Sequence, residues 1–355
     1  MAIRIGVIGC GAIAQRRHLP EAQRHPDVEL VAVCDPLEAR AKEIGEKFGA
    51  ASTYTDHRKL LAAGGLDAII VATPNTLHAA QSIDALAAGC HVLVEKPMAA
   101  TLDEGRAMID AAAKAGKFLM VGQNQRLMSV HVKAKKILDR GDLGKPITFQ
   151  TTFKHPGPDG WSVDGAKSWF FRKAEAAMGV CGDLGVHKVD LMRYLLGQEI
   201  VEVNGFIDTI NKTYEAADGR AGAKIDVDDN AFLSVKTDAG VLGTINISWT
   251  NYGHFEDNGT TIYCENGVLV ISGDPQYGVI VHYRDGTKEF HKTGAVATNT
   301  RQVDSGVLAM FANSIKANRQ PPIDGPEGYR SLQVILAAFE SAASGKTSKI
   351  TPLPR

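Results

Sequence analysis

The chain opens with a strand-like segment that runs directly into a glycine-rich turn. Residues 3–8 are mostly apolar and β-branched, and Gly9, Gly11 and Ala14 follow them in the pattern G-x-G-x-x-A. Gly9 permits a tight turn, Gly11 lets a pyrophosphate approach the backbone, and Ala14 lets the next helix pack closely on the strand. The first N–H groups of a helix attract anions, so the predicted phosphate-binding set is Gly9, Gly11, Ala12 and Ile13.

A second strand-like segment ends in a carboxylate that bears on the choice of cofactor. Residues 28–34 lead into Asp35, where an acidic residue accepts hydrogen bonds from the adenosine ribose hydroxyls. Asp35 also precedes Pro36 at the start of a helix, so it has a second, compatible role as an N-cap. Arg40 is the nearest arginine and lies a helical turn away, not directly after Asp35 where it would favour a 2′-phosphate. We therefore predict NAD rather than NADP.

Strands and helices alternate as far as residue 122. Further strands are predicted at residues 66–72, 91–95 and 117–122, with amphipathic helices between them. This alternation is typical of a parallel sheet with helices on both faces. Residues 1–122 are therefore predicted to form an α/β domain with a mostly parallel, doubly wound sheet.

The strand at residues 91–95 ends abruptly in Glu95, Lys96 and Pro97. Pro97 lacks the N–H that another pairing residue would need, and ligands bind beyond the carboxyl ends of the strands in open α/β sheets. Lys96 is therefore predicted to face a cleft. The alternative is an ordinary solvated lysine at a strand end.

Beyond Gly122 the pattern changes to strands without intervening helices. They are predicted at residues 147–153, 201–210, 230–237, 241–250, 260–264, 268–271 and 279–283, with a closing helix at 326–344. Several of these strands alternate apolar and polar residues, as in an antiparallel sheet with one covered face. Residues 123–355 are therefore predicted to form an α+β domain with a largely antiparallel sheet.

One helix within this second domain carries several titratable side chains. Asp183 and His187 are four residues apart on the predicted helix at 183–196, so they share a face, and Asp190 lies one turn further along. A metal site is conceivable there, but no further histidine or cysteine cluster accompanies it, and we predict no metal. These side chains form either a solvated polar stripe or a functional site. We favour a functional site, because the glycines before Asp183 allow a ligand or another backbone to approach closely.

Composition excludes several classes of partner. The 39 basic and 40 acidic residues are interspersed and give a net charge of -1, so neither nucleic acid nor an anionic membrane is indicated. The five cysteines are widely spaced and form no C-x-x-C pair, which favours a reducing compartment. No signal peptide or long apolar run is recognised. We expect a cytoplasmic protein with a small substrate.

Four motifs together resemble the Gfo/Idh/MocA oxidoreductase family, which includes glucose-fructose oxidoreductase and inositol dehydrogenase. They are residues 9–14, 73–78, 95–97 and 183–187, and the resemblance covers essentially the whole chain. It implies a Rossmann domain followed by an open-faced, predominantly antiparallel sheet domain, with the nicotinamide at their junction. It also implies a homo-oligomer, a dimer or tetramer, built on the open sheet.

The resemblance also implies roles for single residues. The expected catalytic residues are Lys96, Asp183 and His187. The expected dinucleotide contacts outside the glycine turn are Asp35, Thr73, Asn75, His78, Glu95 and Lys96, although His78 could equally be an ordinary first-turn helix residue. The sequence departs from the family at Ala177, Met178 and Gly179, where three glycines are usual before the aspartate. This departure changes one edge of the expected pocket.

These side chains suit hydride transfer coupled to proton transfer. When a secondary alcohol carbon gives up a hydride, its hydroxyl proton must leave, and the imidazole of His187 can accept it. Lys96 would place positive charge beside the developing oxyanion, and Asp183 would bind a neighbouring hydroxyl or raise the pKa of His187. The predicted substrate contacts are Lys96, Arg126, Asp183 and His187, with Trp169, Arg172 and Lys188 as further candidate pocket walls.

The predicted function is NAD-dependent oxidation of a secondary hydroxyl of a sugar or an inositol-type cyclitol. Two other enzymes fit the same resemblance, an NADP(H)-dependent sugar reductase and an NAD-assisted glycoside-cleaving enzyme. Net NADH release distinguishes the dehydrogenase from the cleaving enzyme, which regenerates NAD within each turnover. A sensor without turnover is a third class, and the joint presence of Lys96, Asp183 and His187 argues against it.

Overall fold

Six parallel strands form the sheet of the first domain. The computed structural model describes residues 2–215, 221–253, 256–294, 302 and 304–354. From one edge to the other the strands are Ser52–Tyr54 (β3), Val28–Cys34 (β2), Ile3–Ile8 (β1), Ala68–Val71 (β4), His91–Val94 (β5) and Leu119–Val121 (β6). Strand order reverses between β1 and β4, which places a ligand crevice at their carboxyl ends. The predicted doubly wound Rossmann sheet is confirmed.

Helices connect these strands on both faces of the sheet. They are Leu19–Arg24 (α1), Glu38–Phe48 (α2), His57–Ala63 (α3), His78–Ala87 (α4) and Leu102–Ala115 (α5). A π-helical segment, Ala14–His18, precedes α1. Thr101 and Glu104 form the capping box that starts α5, and Gly49 and Gly116 end α2 and α5 in the left-handed conformation. The short edge strand β3 and helix α3 were not predicted, because neither contains a long apolar repeat.

A nine-stranded sheet forms the second domain. Across the sheet its strands are Lys288–His291 (β16), Val279–Tyr283 (β15), Gly267–Ile271 (β14), Thr260–Cys264 (β13), Pro146–Lys154 (β7), Leu242–Ser248 (β12), Asn230–Thr237 (β11), Ile200–Asp208 (β8) and Ser348–Lys349 (β17). Two short strands, Thr213–Tyr214 (β9) and Ala223–Lys224 (β10), pair separately. The large sheet is antiparallel except between β7 and β12, so the predicted largely antiparallel sheet is confirmed.

Helices in the rest of the chain pack either on one face of this sheet or on the first domain. They are Ser129–Arg140 (α6), Lys173–Ala176 (α7), Val186–Leu196 (α8), Val307–Ala317 (α9) and Gly325–Ser344 (α10), with a π-helical segment, Cys181–Gly185, before α8. Helix α8 packs on β7 and helix α10 packs on β8. In the described ranges, no helix has the length and apolar character needed to cross a bilayer.

The chain returns to the first domain near its end. Val307, Leu308 and Phe311 of α9 are buried in the same apolar cluster as β1. Glu21 of α1 accepts hydrogen bonds from the backbone N–H groups of Ser305 and Leu308, at 2.7 and 3.1 Å, and so holds the start of α9. A division of the chain at residue 122 remains a prediction, and α9 packs on the domain that precedes that division.

Candidate active site

A cleft of about 740 Å³ lies where the carboxyl ends of the parallel strands meet the second domain. Its lining comes from the ends of β1, β2, β4 and β5, from residues 161–170, and from the segment that leads into α8. Nearly all the predicted site residues line it: Gly9, Gly11, Ala12, Ile13, Asp35, Thr73, Asn75, His78, Glu95, Lys96, Asp183 and His187. Tertiary folding therefore brings together residues that are distant in sequence.

The glycine turn at the end of β1 has the shape that a pyrophosphate needs. Gly9 has φ +95°, and a Cβ there would lie 2.3 Å from the carbonyl oxygen of Ala72, so only glycine fits. At Gly11 a Cβ would meet no protein atom within 4 Å, because this residue faces the open cleft. No side chain caps the following π-helical segment among the described residues, which leaves the N–H groups at its start for an anion. The turn fits a dinucleotide.

Asp35 combines its two predicted roles. Its side chain is buried, and one carboxylate oxygen accepts the N–H of Cys10 at 3.0 Å while the other accepts the N–H of Leu37 at 3.0 Å. These bonds fix the carboxylate at the edge of the cleft. Each oxygen has a second lone pair, so the same group can also accept a ribose hydroxyl.

Glu95 is held by hydrogen bonds from two basic side chains. Its Oε1 accepts hydrogen bonds from Arg17 at 2.9 Å and from His18 at 2.8 Å. Burial alone would raise the pKa of Glu95, but Arg17, His18 and Lys96 lower it well below its usual value. Glu95 is therefore a fixed anion in the wall of the cleft. Because Arg17 and His18 belong to the π-helical segment after the glycine turn, this cluster ties that turn to the end of β5.

Lys96 and Asp183 meet across the cleft. The Lys96 Nζ donates to Asp183 Oδ1 at 2.8 Å and to the Asp183 carbonyl at 3.1 Å. The indole N–H of Trp249 donates to Asp183 Oδ2 at 3.1 Å, and His155 Nε2 lies 3.8 Å from the same oxygen. Asp183 is thus held by groups from two domains, and its carboxylate orients the lysine.

Asp183 lies in a π-helical turn whose start is held by another aspartate. The Asp228 carboxylate accepts the N–H groups of Gly179 and Cys181, both at 2.7 Å. A Cβ at Gly179 would lie 1.9 Å from the carbonyl oxygen of Asp228. The glycine before Asp183 therefore admits another backbone, which is one of the two possibilities the sequence left open. π-Helical turns occur often at functional sites because they redirect side chains.

His187 follows one turn later and also lines the cleft. Burial lowers the pKa of His187 well below its usual value, and the positive charges of Lys96 and Arg17 lower it further. Its Nδ1 has no hydrogen-bond partner in the described part of the chain. A neutral imidazole is the form that can accept a proton.

Thr73, Asn75 and His78 line the cleft while making structural contacts. The Asn75 amide donates to the carbonyl of Ala176 in the second domain at 2.8 Å, and Thr73 donates to Gln81 at 2.7 Å. The two ring nitrogens of His78 lie 2.8 Å from the Pro97 carbonyl and 2.9 Å from the Thr73 carbonyl. His78 therefore bridges two loops of the cleft wall, in agreement with its alternative role as a structural residue.

Arg126 does not line the cleft. Its guanidinium donates to Asp190 at 2.6 and 2.7 Å and to Glu327 at 2.7 Å, within a buried cluster of ion pairs. Arg126 is therefore engaged by carboxylates outside the cleft, and its contact with substrate stays a prediction. Asp190 is turned toward Arg126 rather than along the face of Asp183, because the π-helical turn changes the register of the helix. Both residues link α8 to α10.

The other candidate wall residues have different outcomes. Trp169 lines the cleft, whereas Arg172 lies outside it and pairs with Glu175. Lys188 is completely buried behind the cleft, with its ammonium 5.7 Å from the centre of the Phe153 ring. Burial lowers the pKa of Lys188 to about 7.

Several cleft residues were missed by the sequence analysis. They are Arg17, His155, Trp161 and Phe170, together with Trp249 behind Asp183. His155 had a usable signal, because it directly follows the end of β7. Its Nδ1 accepts the N–H of Gly157 at 2.9 Å, so the neutral ring carries its proton on Nε2, the nitrogen nearer Asp183.

Comparison with known proteins agrees with this architecture. The chain is 28% identical to 1,5-anhydro-D-fructose reductase of Ensifer adhaerens, over 98% of both chains. It is 27% identical to scyllo-inositol 2-dehydrogenase (NAD(+)) of Bacillus subtilis, over 97% of this chain and 95% of that one. The structure of levoglucosan dehydrogenase in complex with NADH and levoglucosan superimposes with a TM-score of 0.87 at 23% identity, over 99% of this chain and 100% of that one.

Family models match both domains. Residues 3–123 match the model described as an oxidoreductase family with an NAD-binding Rossmann fold, and residues 131–270 match the GFO/IDH/MocA C-terminal domain. The predicted family and the predicted oxidoreductase class are confirmed. The chain belongs to the GFO/IDH/MocA family of oxidoreductases and contains its NAD-binding Rossmann domain.

Proposed function

We propose that this protein is an NAD-dependent dehydrogenase that oxidises a secondary hydroxyl of a sugar or an inositol-type cyclitol. The observation that carries the proposal is the set of Lys96, Asp183 and His187 in one cleft with the glycine turn of β1. The relatives named for action on inositol and an anhydrosugar support the substrate class. Gly9, Gly11, Asp35 and the N–H groups at the start of the following π-helical segment would hold the dinucleotide. When bound, the dinucleotide supplies a hydride acceptor.

His187 is the proposed base. Its buried imidazole is neutral near pH 7, so it can take the proton of the reacting hydroxyl as the carbon–hydrogen bond breaks and the carbonyl forms. In the reverse direction the imidazolium returns that proton to the alkoxide oxygen. Its position on the second domain places it opposite the strand end that carries Lys96.

Lys96 is the proposed electrostatic stabiliser. Its ammonium is already oriented by two contacts to Asp183, so little reorganisation is needed when negative charge develops on the substrate oxygen. Asp183 keeps one oxygen bonded to Trp249 and the other to Lys96. It is therefore placed to accept a hydrogen bond from a substrate hydroxyl next to the reacting one.

The test is a panel of inositols, aldoses, anhydrosugars and glycosides, each incubated with NAD or NADP and followed by nicotinamide absorbance. We expect NAD reduction with at least one cyclitol or sugar, and a keto product in equal amount. Lys96→Met is the matched negative control. Cleavage of a glycoside without net NADH would contradict the proposal in favour of the glycoside-cleaving alternative.

We also propose that the protein is a homo-oligomer that associates through the uncovered face of the nine-stranded sheet. Phe206 is 82% exposed, and its cross-strand partner Phe232 is 51% exposed. Leu242 on the neighbouring strand is also exposed. Large apolar side chains grouped on one sheet face favour association, and a dimer with twofold symmetry is the simplest arrangement.

A cytoplasmic location is the final part of the proposal. Cys10, Cys34, Cys90, Cys181 and Cys264 are all buried free thiols. Unpaired cysteines are usual in a reducing compartment.

A further inference from the structure

One arginine lies between carboxylates of the two domains at the edge of the cleft. Arg40, on α2, donates through Nη2 to Asp164 of the second domain at 2.8 Å. Its Nη1 lies 4.0 Å from Asp35 Oδ2. Arg40, Asp35 and Asp164 all line the cleft, and the side chain of Arg40 is one-quarter exposed. The cation beside the proposed ribose-binding carboxylate is therefore already paired.

We propose that Asp164 is a specificity-determining residue that disfavours NADP by occupying Arg40. This inference rests on the proposed use of Asp35 for the adenosine ribose. A 2′-phosphate carries nearly two negative charges and needs a cation close to the position of the 2′-hydroxyl. In this structure Asp35, Arg40 and Asp164 together carry a net charge of about -1. A 2′-phosphate would have to displace Asp164 from Arg40 and would still be repelled by Asp35.

The segment that carries Asp164 is held in place by contacts that do not involve Arg40. Lys212 donates to both oxygens of Asp159, at 2.7 and 3.0 Å. The N–H of Glu215 donates to the carbonyl of Ala166 at 3.0 Å. The rings of Trp161 and Phe170 pack edge to face with their centres 5.0 Å apart. Removing the charge of Asp164 should therefore free Arg40 without displacing the segment.

Under this proposal, side chains of both domains contribute to the preference for NAD over NADP. Asp35 acts from the end of β2, and Asp164 acts from residues 161–170 across the cleft. An isosteric Asp164→Asn change leaves an amide next to the guanidinium, raises the local charge by one and makes the Arg40 donors available to a phosphate. In this variant Arg40 would attract the 2′-phosphate of NADP, which Asp164 disfavours in the wild-type protein.

The experiment measures binding by calorimetry, with 2′,5′-ADP and ADP as probes that lack the nicotinamide, and with NADP and NAD as complete cofactors. We expect Asp164→Asn to tighten 2′,5′-ADP and NADP by roughly tenfold, which is the effect of one charge-assisted contact. Binding of ADP and NAD should change less than about twofold, because neither has a 2′-phosphate. The double variant Asp164→Asn, Arg40→Gln should lose the gain.

Glu38→Gln is the matched control, because it removes a carboxylate of α2 that pairs with Lys42 instead of Arg40, and it should leave the ratio of NADP to NAD affinity unchanged. The inference is overturned if Asp164→Asn leaves the ratio of NADP to NAD affinity unchanged, or weakens both ligands alike. It is also overturned if the gain persists without Arg40. Failure of the proposed function would give another result. The wild-type protein would bind NAD but would oxidise no compound of the substrate panel.

Discussion

The Lys96 ammonium lies 2.8 Å from the Asp183 carboxylate, although the two residues belong to different domains. Both side chains are mostly shielded from solvent, with 14% and 6% of their surface exposed. The attraction between two charges is larger when water is excluded, but both groups lose hydration, and removal of one partner leaves the other charge uncompensated. The contact therefore joins the two domains at the point where we place the chemistry.

Lys96→Met should reduce turnover by roughly 100- to 1,000-fold, the loss seen when one oriented donor to a developing oxyanion is removed. NAD affinity should stay within a few-fold, because the glycine turn and Asp35 do not depend on the lysine charge. Steady-state kinetics and calorimetric NAD binding on the same preparation check this. Equal losses of turnover and NAD affinity would instead identify Lys96 mainly as a cofactor contact.

The pH dependence of oxidation should report on His187. Its pKa is lowered by burial and then by Lys96 and Arg17, so the imidazole becomes protonated, and oxidation slows, only as the pH falls below 6.5. His187→Asn should lower kcat/KM by roughly 100- to 10,000-fold and flatten this acidic limb, because asparagine does not titrate. If the acidic limb were unchanged in this variant, the base would be reassigned to Lys96.

Asp35→Ser should weaken NAD and relieve the penalty against NADP. The serine hydroxyl is neutral, so it no longer repels a 2′-phosphate and no longer accepts two ribose hydroxyls. Loss of the bonds to Cys10 and Leu37 should also lower stability by about 1 kcal/mol. Ratios of kcat/KM for the two cofactors provide the measurement. Wild-type turnover with NADP equal to that with NAD would contradict the role of Asp35.

Phe206→Glu should weaken the proposed oligomer. A carboxylate opposite Phe232 on the uncovered sheet face would have to be desolvated in the interface. Light scattering at micromolar concentration should show a smaller mass for this variant than for the wild type. Ala113→Glu adds the same charge at an exposed position of α5 and should leave the mass unchanged. A wild-type monomer would rule out the assembly.

Buried histidines should make the protein less stable in acid. Burial lowers the pKa of His131 to about 3, so below pH 6.5 the unfolded chain binds a proton that the folded chain excludes. Stability is then complete above pH 6.5 and decreases as the pH falls, by about 2 kcal/mol at pH 5 from this group. His131→Asn keeps a donor for the Gln125 carbonyl, which His131 Nδ1 contacts at 2.7 Å, but does not titrate. Urea unfolding at pH 7 and pH 5 should show a smaller loss in the variant, and an equal loss would contradict the assignment.

Local patterns in the sequence determined the strand and helix order and much of the cleft. Gly9, Asp35 and Lys96 each lie just beyond the carboxyl end of a strand of the parallel sheet. Carboxyl ends of parallel strands meet at one edge of a sheet, so these residues had to converge. The same reasoning could not detect β3, whose three residues carry too little periodicity.

Only the tertiary structure decided which partner each charged side chain meets. Arg126 has the sequence character of a substrate-binding residue, but Asp190 and Glu327 bind it inside the protein. Arg40 is a surface residue of α2 by its sequence, yet Asp164, more than 100 residues later, pairs with it across the cleft. Such pairings depend on where distant segments lie relative to each other and on how far each charge is desolvated. The periodicity of a helix or strand gives no information on either point.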